Sequence, residues 1–369
     1  MNFSVVNRAI IFQLFVIISL LMLIPAFIAF LERDYFVART FLYCSCAGVI
    51  VYTLIAIALS NIIKVQNNFE KLLSFILSYF FLPIFMALPL VLSVAEVGLI
   101  DAWLGMVSSF TTTGLIIINL EIFSGSALRL WFGMVSWIGG IFFWICAISI
   151  LLPLNINRFE IGVNDFLDGS PLKGREGNSI ISNARHLIPV YLIITIALWL
   201  FLTFAGMSGS QALLMAMSVI STSGFDTMSG EIPKVFIIEG IILIFFVFAL
   251  SKSLFFRDIN DLRKFRFFTD PEIRLALIII LAVTGLFYAK SIFVLSSENI
   301  DIDIVFLLKQ LWGIFFTVAS YLVTMGIESK VWSDYPSFAL AEVSAVSVMG
   351  LAIIGGGVAT TAGGVKLLR

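Results

Sequence analysis

The chain has 369 residues, of which 60% are hydrophobic and 12% charged; 37 are phenylalanine, and the formal net charge is −1. So apolar a composition lies far above that of a soluble domain and makes this an integral membrane protein. The sequence offers no Ser/His/Asp or paired-carboxylate arrangement poised for catalysis and no aromatic-basic patch, which argues against an enzyme and against a nucleic-acid partner.

Crossing a bilayer takes about 20 apolar residues. Eight runs meet that need, at roughly 10–30, 41–59, 72–92, 131–152, 187–204, 235–250, 273–289 and 338–354. The first follows Arg8 without a small-residue cleavage site, so it is expected to stay as a helix rather than leave as a signal peptide. Cys44, Cys46 and Cys146 lie inside apolar runs and read as small hydrophobes, with neither disulfide nor metal site. Fifteen of the 22 Lys and Arg fall on one set of connecting segments, which the positive-inside rule places in the cytoplasm together with both chain ends. The opposite segments hold twelve acidic residues against seven basic ones. Such a field would concentrate cations at an outer mouth; it is equally what remains when basic residues stay inside.

Three stretches between the runs, at about 98–118, 207–232 and 298–335, are too short or too polar to cross, and all lie on the expected outer side. Each contains a Thr-x-Gly: Thr112-Thr113-Gly114, Thr222-Ser223-Gly224 and Thr324-Met325-Gly326, whose glycines are 110 and 102 residues apart. The period predicts one unit used three times: a span, a short descending helix, a Thr-x-Gly turn and a second span. Asp101, Asp303 and either Ser208 or Ser210 are the expected helix-start residues. Non-helical backbone at membrane depth is tolerated only where protein or a water-filled cavity surrounds it, so the three turns are expected to converge. Carbonyls facing a common axis can replace the water shell of a cation, as they do in the filter loop of potassium channels. Glycine permits the backbone angles this needs, and the preceding Thr can offer a hydroxyl.

Other features carry less. The run from Gly355 to Lys366 fails as a phosphate loop, because Val365 separates glycine from lysine and Leu367 follows. Its five glycines suit either an intramembrane plug or close helix packing. Glu239 and Glu342 fall within spans, where an ionisable group is costly; both are placed to reach the interface, and neither is assigned as an ion site. His186, the single histidine, has no partner for a metal. The loop 155–186 is a candidate docking surface for a cytoplasmic partner, or simply a linker.

The pattern as a whole resembles the Trk/Ktr family of bacterial potassium uptake proteins. The motifs that carry the resemblance are "ALP" (87–89), Asp101-Ala102-Trp103 leading into "SSFTTTG", "WIGGIFFWICAISILLP" (137–153), "FAGM" before "STSGF", "DPEIR" (270–274) and "GGGVATTAGGVKLLR" (355–369). The resemblance implies an all-α integral membrane fold of repeated helix–pore loop–helix units around a central ion pathway. Residues 1–65 would be two N-terminal helices, 66–155 the first repeat, 156–258 the second, and 259–369 a third, cut after the glycine-rich loop, with the fourth repeat missing. It implies channel-like uptake of K+ with no cofactor, multi-pass residence in the bacterial inner membrane, a homodimer amid membrane lipid, and a cytoplasmic nucleotide-binding regulatory subunit. Carried onto this chain, K+ is bound by Thr112, Thr113, Thr222, Ser223, Thr324 and Met325, with Gly114, Gly224 and Gly326 shaping the turns. The gate loop comprises Gly355, Gly356, Gly357, Thr360, Thr361, Gly363, Gly364 and Lys366. A Ser at the first glycine accompanies sodium transport in related plant proteins, so Gly114 favours potassium. Met325 departs from the usual Thr-Ala-Gly of the third filter, and overpacking by a larger side chain typically costs about 1–3 kcal/mol. With one quadrant missing, the chain alone is expected not to close a selective pore. The rival expectation is a non-conducting or regulatory membrane subunit.

Overall fold

Hydrophobic helices account for the architecture of the described residues. The structure, a computed structural model, describes residues 10–58, 68–115, 117–118, 125–151, 180–225, 234–250, 270–297, 304–331, 345–357 and 360–367. They form α1 (Ile10–Leu21), α2 (Leu23–Leu31), α3 (Tyr35–Ala58), α4 (Asn68–Ser93), α5 (Leu99–Phe110), α6 (Ser126–Cys146), α7 (Ile180–Phe204), α8 (Gly209–Ser221), α9 (Val235–Leu250), α10 (Pro271–Ser297), α11 (Ile304–Leu322) and α12 (Ala345–Ile354). Among the described residues no strand forms. The chain divides into two compact units, Met1–Ile156 with Ser179–Asn183, and Asn157–Asn178 with Ala184–Arg369.

In the first unit α1, α3 and α4 meet at Gly48. A Cβ there would lie 2.3 Å from Ser19 Oγ and 2.6 Å from the Phe85 ring, so a small residue is what lets these backbones approach. Pro83 and Pro89 interrupt the hydrogen-bond ladder of α4. Trp103 and Trp131 donate their indole N–H groups to the Phe80 and Met86 carbonyls, 3.3 and 3.0 Å away, in the turns those prolines loosen. α6 is the most enclosed of the long helices, with Trp131 and Trp144 fully buried. Its first turn has a glycine cap without a side chain, and the Glu32 carboxylate serves instead, accepting from the Ser126 amide at 3.1 Å and from the Ser126 hydroxyl. A negative charge at a helix N-terminus is favourable. At Gly139 of the "WIGG" run a Cβ would fall 2.0 Å from the Phe110 carbonyl oxygen. That glycine therefore admits the end of α5 against α6.

In the second unit α7 turns at Gly206 (φ 110°) into α8, and Trp199 braces the turn by donating to the Gly209 carbonyl at 2.9 Å. Asp270 caps α10 by accepting the Glu272 amide at 3.0 Å, with Pro271 in the first helical position. α9, α10, α11 and α12 pack beside one another.

Among the described residues seven helices are long and apolar enough to cross a membrane, not the eight expected. Val235–Leu250 forms, but with 16 residues it is short, and of 338–354 only Ala345–Ile354 is described. Conversely, Ile304–Leu322, which falls in a stretch expected not to cross, is a 19-residue apolar helix, about 28 Å long against about 18–20 Å for α5 and α8. Composition cannot separate a long pore helix from a span. One helix start differs, since Gly98 caps α5 and places Asp101 in its first turn; of the two serines expected for α8, Ser208 stands at the cap. Ser208 has the extended cap backbone, yet its hydroxyl donates to Gln211 Oε1 at 2.9 Å. Asp303, Glu342 and residues 155–179 of the expected docking loop lie outside the described residues, as do Val358 and Ala359. Of the twelve outer acidic residues, Glu121, Asp226, Glu231, Glu298, Asp301, Asp303 and Asp334 lie outside them too.

Candidate functional site

Helices α5, α8 and α11 end alike. In each, the threonine of the Thr-x-Gly sits in the left-handed region, at φ 53° for Thr112, 52° for Thr222 and 61° for Thr324. Gly114, Gly224 and Gly326 follow two residues later at 73°, 71° and 73°. Each threonine N–H bonds three residues back: Thr112 to Ser109 O at 3.0 Å, Thr222 to Val219 O at 3.2 Å and Thr324 to Tyr321 O at 3.0 Å. The next N–H bonds five back: Thr113 to Ser108 O at 2.8 Å, Ser223 to Ser218 O at 3.0 Å and Met325 to Ser320 O at 2.9 Å. This is the Schellman ending of a helix, in which the left-handed residue is ordinarily glycine. A β-branched residue there is a steric outlier costing on the order of 1–3 kcal/mol. Strain kept at three matching places, when glycine would relieve it, points to a use for the threonine.

A serine four residues before each threonine holds the corner. Ser108 Oγ accepts the Leu115 amide at 2.8 Å and lies 3.1 Å from the Leu115 carbonyl oxygen, to which it donates. Ser320 Oγ accepts the Ile327 amide at 2.8 Å, and Ser218 Oγ lies 3.4 Å from Ser223 Oγ. All three serines are buried. Thr-x-Gly is therefore only part of the signal; the fuller pattern, Ser-x-x-x-Thr-x-Gly, occurs in the sequence three times over.

In the second unit two corners and the glycine-rich loop come together. A Cβ on Gly224 would lie 2.3 Å from the Met325 carbonyl oxygen, so corner two rests directly on the backbone of corner three. Met325 itself is buried. Thr222 Oγ1 donates to Thr361 O at 3.0 Å, Thr361 Oγ1 returns a bond to Ile220 O at 3.0 Å, and Thr324 Oγ1 accepts the Gly363 amide at 2.7 Å. The Thr324 hydroxyl thus accepts from the loop, while the single Thr222 hydroxyl proton is shared between Thr361 O and Ser221 O, the latter 2.7 Å away. Corner one uses its side chains differently, with Thr111 and Thr113 hydroxyls bonded to each other at 2.7 Å.

The loop leaves α12 at Gly355 (φ 75°) and doubles back on it. Val365 and Lys366 amides donate to the Ile353 and Ile354 carbonyls at 2.7 and 2.9 Å, and the Leu367 amide to Gly356 O at 3.2 Å. A Cβ on Gly355 would meet Gly363 O at 2.2 Å, one on Gly364 the Gly355 Cα at 2.4 Å, and one on Gly357 the Leu250 carbonyl oxygen at 2.0 Å. Gly355 and Gly364 therefore serve close backbone contact within a folded-back loop, and Gly357 lets that loop approach the end of α9. Thr360 Oγ1, 2.9 Å from Ala249 O, fastens the loop to the end of α9, and the Lys366 ammonium donates to the Ala362 carbonyl.

Glu239 corrects an expectation. It does not reach an interface: it is completely buried and accepts hydrogen bonds from Trp312, Ser329 and the Lys330 amide. Sequence cannot show whether donors will gather around a carboxylate in an apolar helix. His186 is exposed. Among the described residues no group of three or more His, Cys, Asp or Glu could hold a metal ion.

No family model matches the chain. It is 28% identical over 289 residues to a protein of Methanocaldococcus jannaschii described as an uncharacterized cation transporter, covering 77% of this chain and 54% of that one. It is 27% identical over 300 residues to the Trk system potassium uptake protein TrkI of Halomonas elongata, covering 79% and 57%. With the Trk system potassium uptake protein TrkH of Salmonella typhimurium the identity is 26% over 385 residues, covering 100% of this chain and 74% of TrkH. The chain is a homologue of the Trk potassium uptake proteins. In fold it is similar to the crystal structure of the potassium transporter TrkH from Vibrio parahaemolyticus, with a TM-score of 0.77 at 22% identity, covering 100% of this chain and 74% of that one. The chain spans little more than half the length of the first two of these relatives.

Proposed function

We propose that the chain is a potassium-translocating subunit of a Trk-type uptake system, passing dehydrated ions down their electrochemical gradient. The corners select the ion: their backbone carbonyls stand in for the hydration shell of K+, and no chemical step is needed. The observation that carries this reading is the recurrence of one strained backbone, left-handed Thr followed by left-handed Gly, in all three repeats. The relatives' names supply the ion. The loop Gly355–Leu367 acts as the gate in this reading, because its hydrogen bonds to Thr222 and Thr324 let a movement of the loop be felt at the corners. We further propose that the chain works with the remaining repeat, as a homodimer in the inner membrane with both termini in the cytoplasm, under a cytoplasmic nucleotide-binding regulatory subunit.

The test is rubidium and sodium flux into liposomes holding the purified chain, with and without the remaining portion of a Trk relative. Potassium-selective flux that falls when Gly114 becomes Ser supports the reading. Flux indifferent to Gly114 counts against the corners as the filter, and no flux in either preparation leaves a non-conducting regulatory subunit.

A further inference from the structure

Glu239 is the one charged side chain of α9, whose other residues are Val, Phe, Ile, Leu, Ala and Gly. Its carboxylate is spanned by fixed donors. Oε2 accepts the Trp312 indole N–H at 2.8 Å and Oε1 accepts the Lys330 amide at 2.8 Å, while the Ser329 hydroxyl lies 2.8 and 2.9 Å from the two oxygens. Trp312 belongs to α11, the helix that enters corner three. Ser329 and Lys330 belong to the segment that leaves it. One carboxylate therefore joins the two limbs between which Thr324, Met325 and Gly326 are held, and the Lys330 charge adds an attractive field.

The chemistry demands a carboxylate and not merely a polar group. An indole N–H and a backbone N–H cannot turn round to accept, so both oxygens must be acceptors. Glutamine would set its NH2 against one of those donors in either orientation. Burying an ionised group in apolar surroundings is expensive unless hydrogen bonds answer it, and here every one of those bonds falls on a limb of the corner.

We infer that Glu239 is a positioning residue for ion selection: it fixes the backbone leaving Gly326 against α11, so that corner three cannot draw inward around an ion smaller than potassium. This rests on the ion-pathway reading above. Two further bonds join the limbs directly nearer the corner, from the Ile327 amide to Ser320 Oγ and from the Ser329 amide to Thr317 Oγ1 at 3.2 Å, and the tie through Lys330 and Trp312 lies beyond them. Glu239 closes this farther end.

The experiment compares wild type, E239Q, E239D and Ser329→Ala in the full chain, with two readouts. Amide hydrogen exchange over 327–331 reads the clamp; the ratio of rubidium to sodium flux in liposomes reads selection. E239Q should speed exchange at Lys330 by about tenfold or more, the loss expected for a hydrogen bond to a charged acceptor, while exchange over 112–115 stays unchanged. It should also lower the rubidium-to-sodium ratio several-fold, with Ser329→Ala in between and E239D partly restoring both. Should E239Q prove unable to fold, Ser329→Ala carries the same comparison. Unchanged exchange overturns the clamp. Faster exchange with an unchanged flux ratio overturns the role in selection. With the remaining portion of a Trk relative supplied in the liposomes, a wild-type chain without flux defeats the ion-pathway reading and the selective role with it, while the exchange arm still decides whether Glu239 clamps the corner.

Discussion

Corner one and corner three share a backbone and differ in what supports it. In corner one Ser108 grips Leu115 from both sides and the threonines on either side of Thr112 bond each other, all within a stretch of eight residues. In corner three the near end is held in the same way, by Ser320 on Ile327, but the remaining support comes from a distance: Glu239 lies 90 residues from Ser329, and Gly363 lies 39 residues from Thr324. Left-handed threonine is thus a property of the local Ser-x-x-x-Thr-x-Gly run. What holds it against its strain is not.

Substitutions at the corners put that difference to the test. The largest effect should come from setting Gly224→Ala beside Gly326→Ala. Both glycines have φ near 70°, so an added Cβ costs about 1 kcal/mol or more at either. At Gly224 the Cβ also falls 2.3 Å from the Met325 carbonyl oxygen, whereas at Gly326 the nearest atom is a Tyr321 ring carbon at 3.8 Å. Gly224→Ala should lose about 3 kcal/mol or more and most of the flux. Gly326→Ala should lose closer to about 1 kcal/mol, both read from denaturation midpoints in detergent. Equal losses would mean that corner two does not rest on corner three.

A middle effect is expected at the serines. Ser320→Ala strands the buried Ile327 amide at a cost of about 1–3 kcal/mol, and Ser108→Ala frees the amide of the exposed Leu115 at a cost of about 1 kcal/mol. Ser218→Ala, which gives up only a 3.4 Å contact with another hydroxyl, should cost less. Exchange rates of the amides one residue past each glycine would rank the three. The smallest change in stability belongs to Thr361→Val, which removes the bond to Ile220 O yet leaves the Thr361 carbonyl for Thr222. About 1 kcal/mol or less should be lost, while resting flux rises because the loop is less firmly held. Flux that falls instead would count against the loop as a gate.

Much of this is legible in the residues. The Thr-x-Gly triplets, at intervals of 110 and 102, mark the ends of three helices, because few residues other than glycine accept φ near 70° and the flanking apolar runs must be helical to satisfy their backbones. Asp270 before Pro271 announces the start of α10 in the same local way. The serine four residues ahead of each threonine is an equally local signal.

Hydrophobicity and backbone sterics act over a few residues, and so the residues alone settle that the chain lives in a membrane, where most of its helices lie, and that three of them end in strained glycine corners. Other features belong to the packing. No local pattern makes Ile304–Leu322 longer than its counterparts in the other two repeats, brings the Phe110 carbonyl to Gly139, or bonds the Thr222 and Thr324 hydroxyls to the loop. Nor does any local pattern enclose Glu239 with donors from α11 and from the segment beyond corner three. These contacts require atoms tens of residues apart to come within hydrogen-bonding reach, and only the arrangement of the helices against one another fixes that distance.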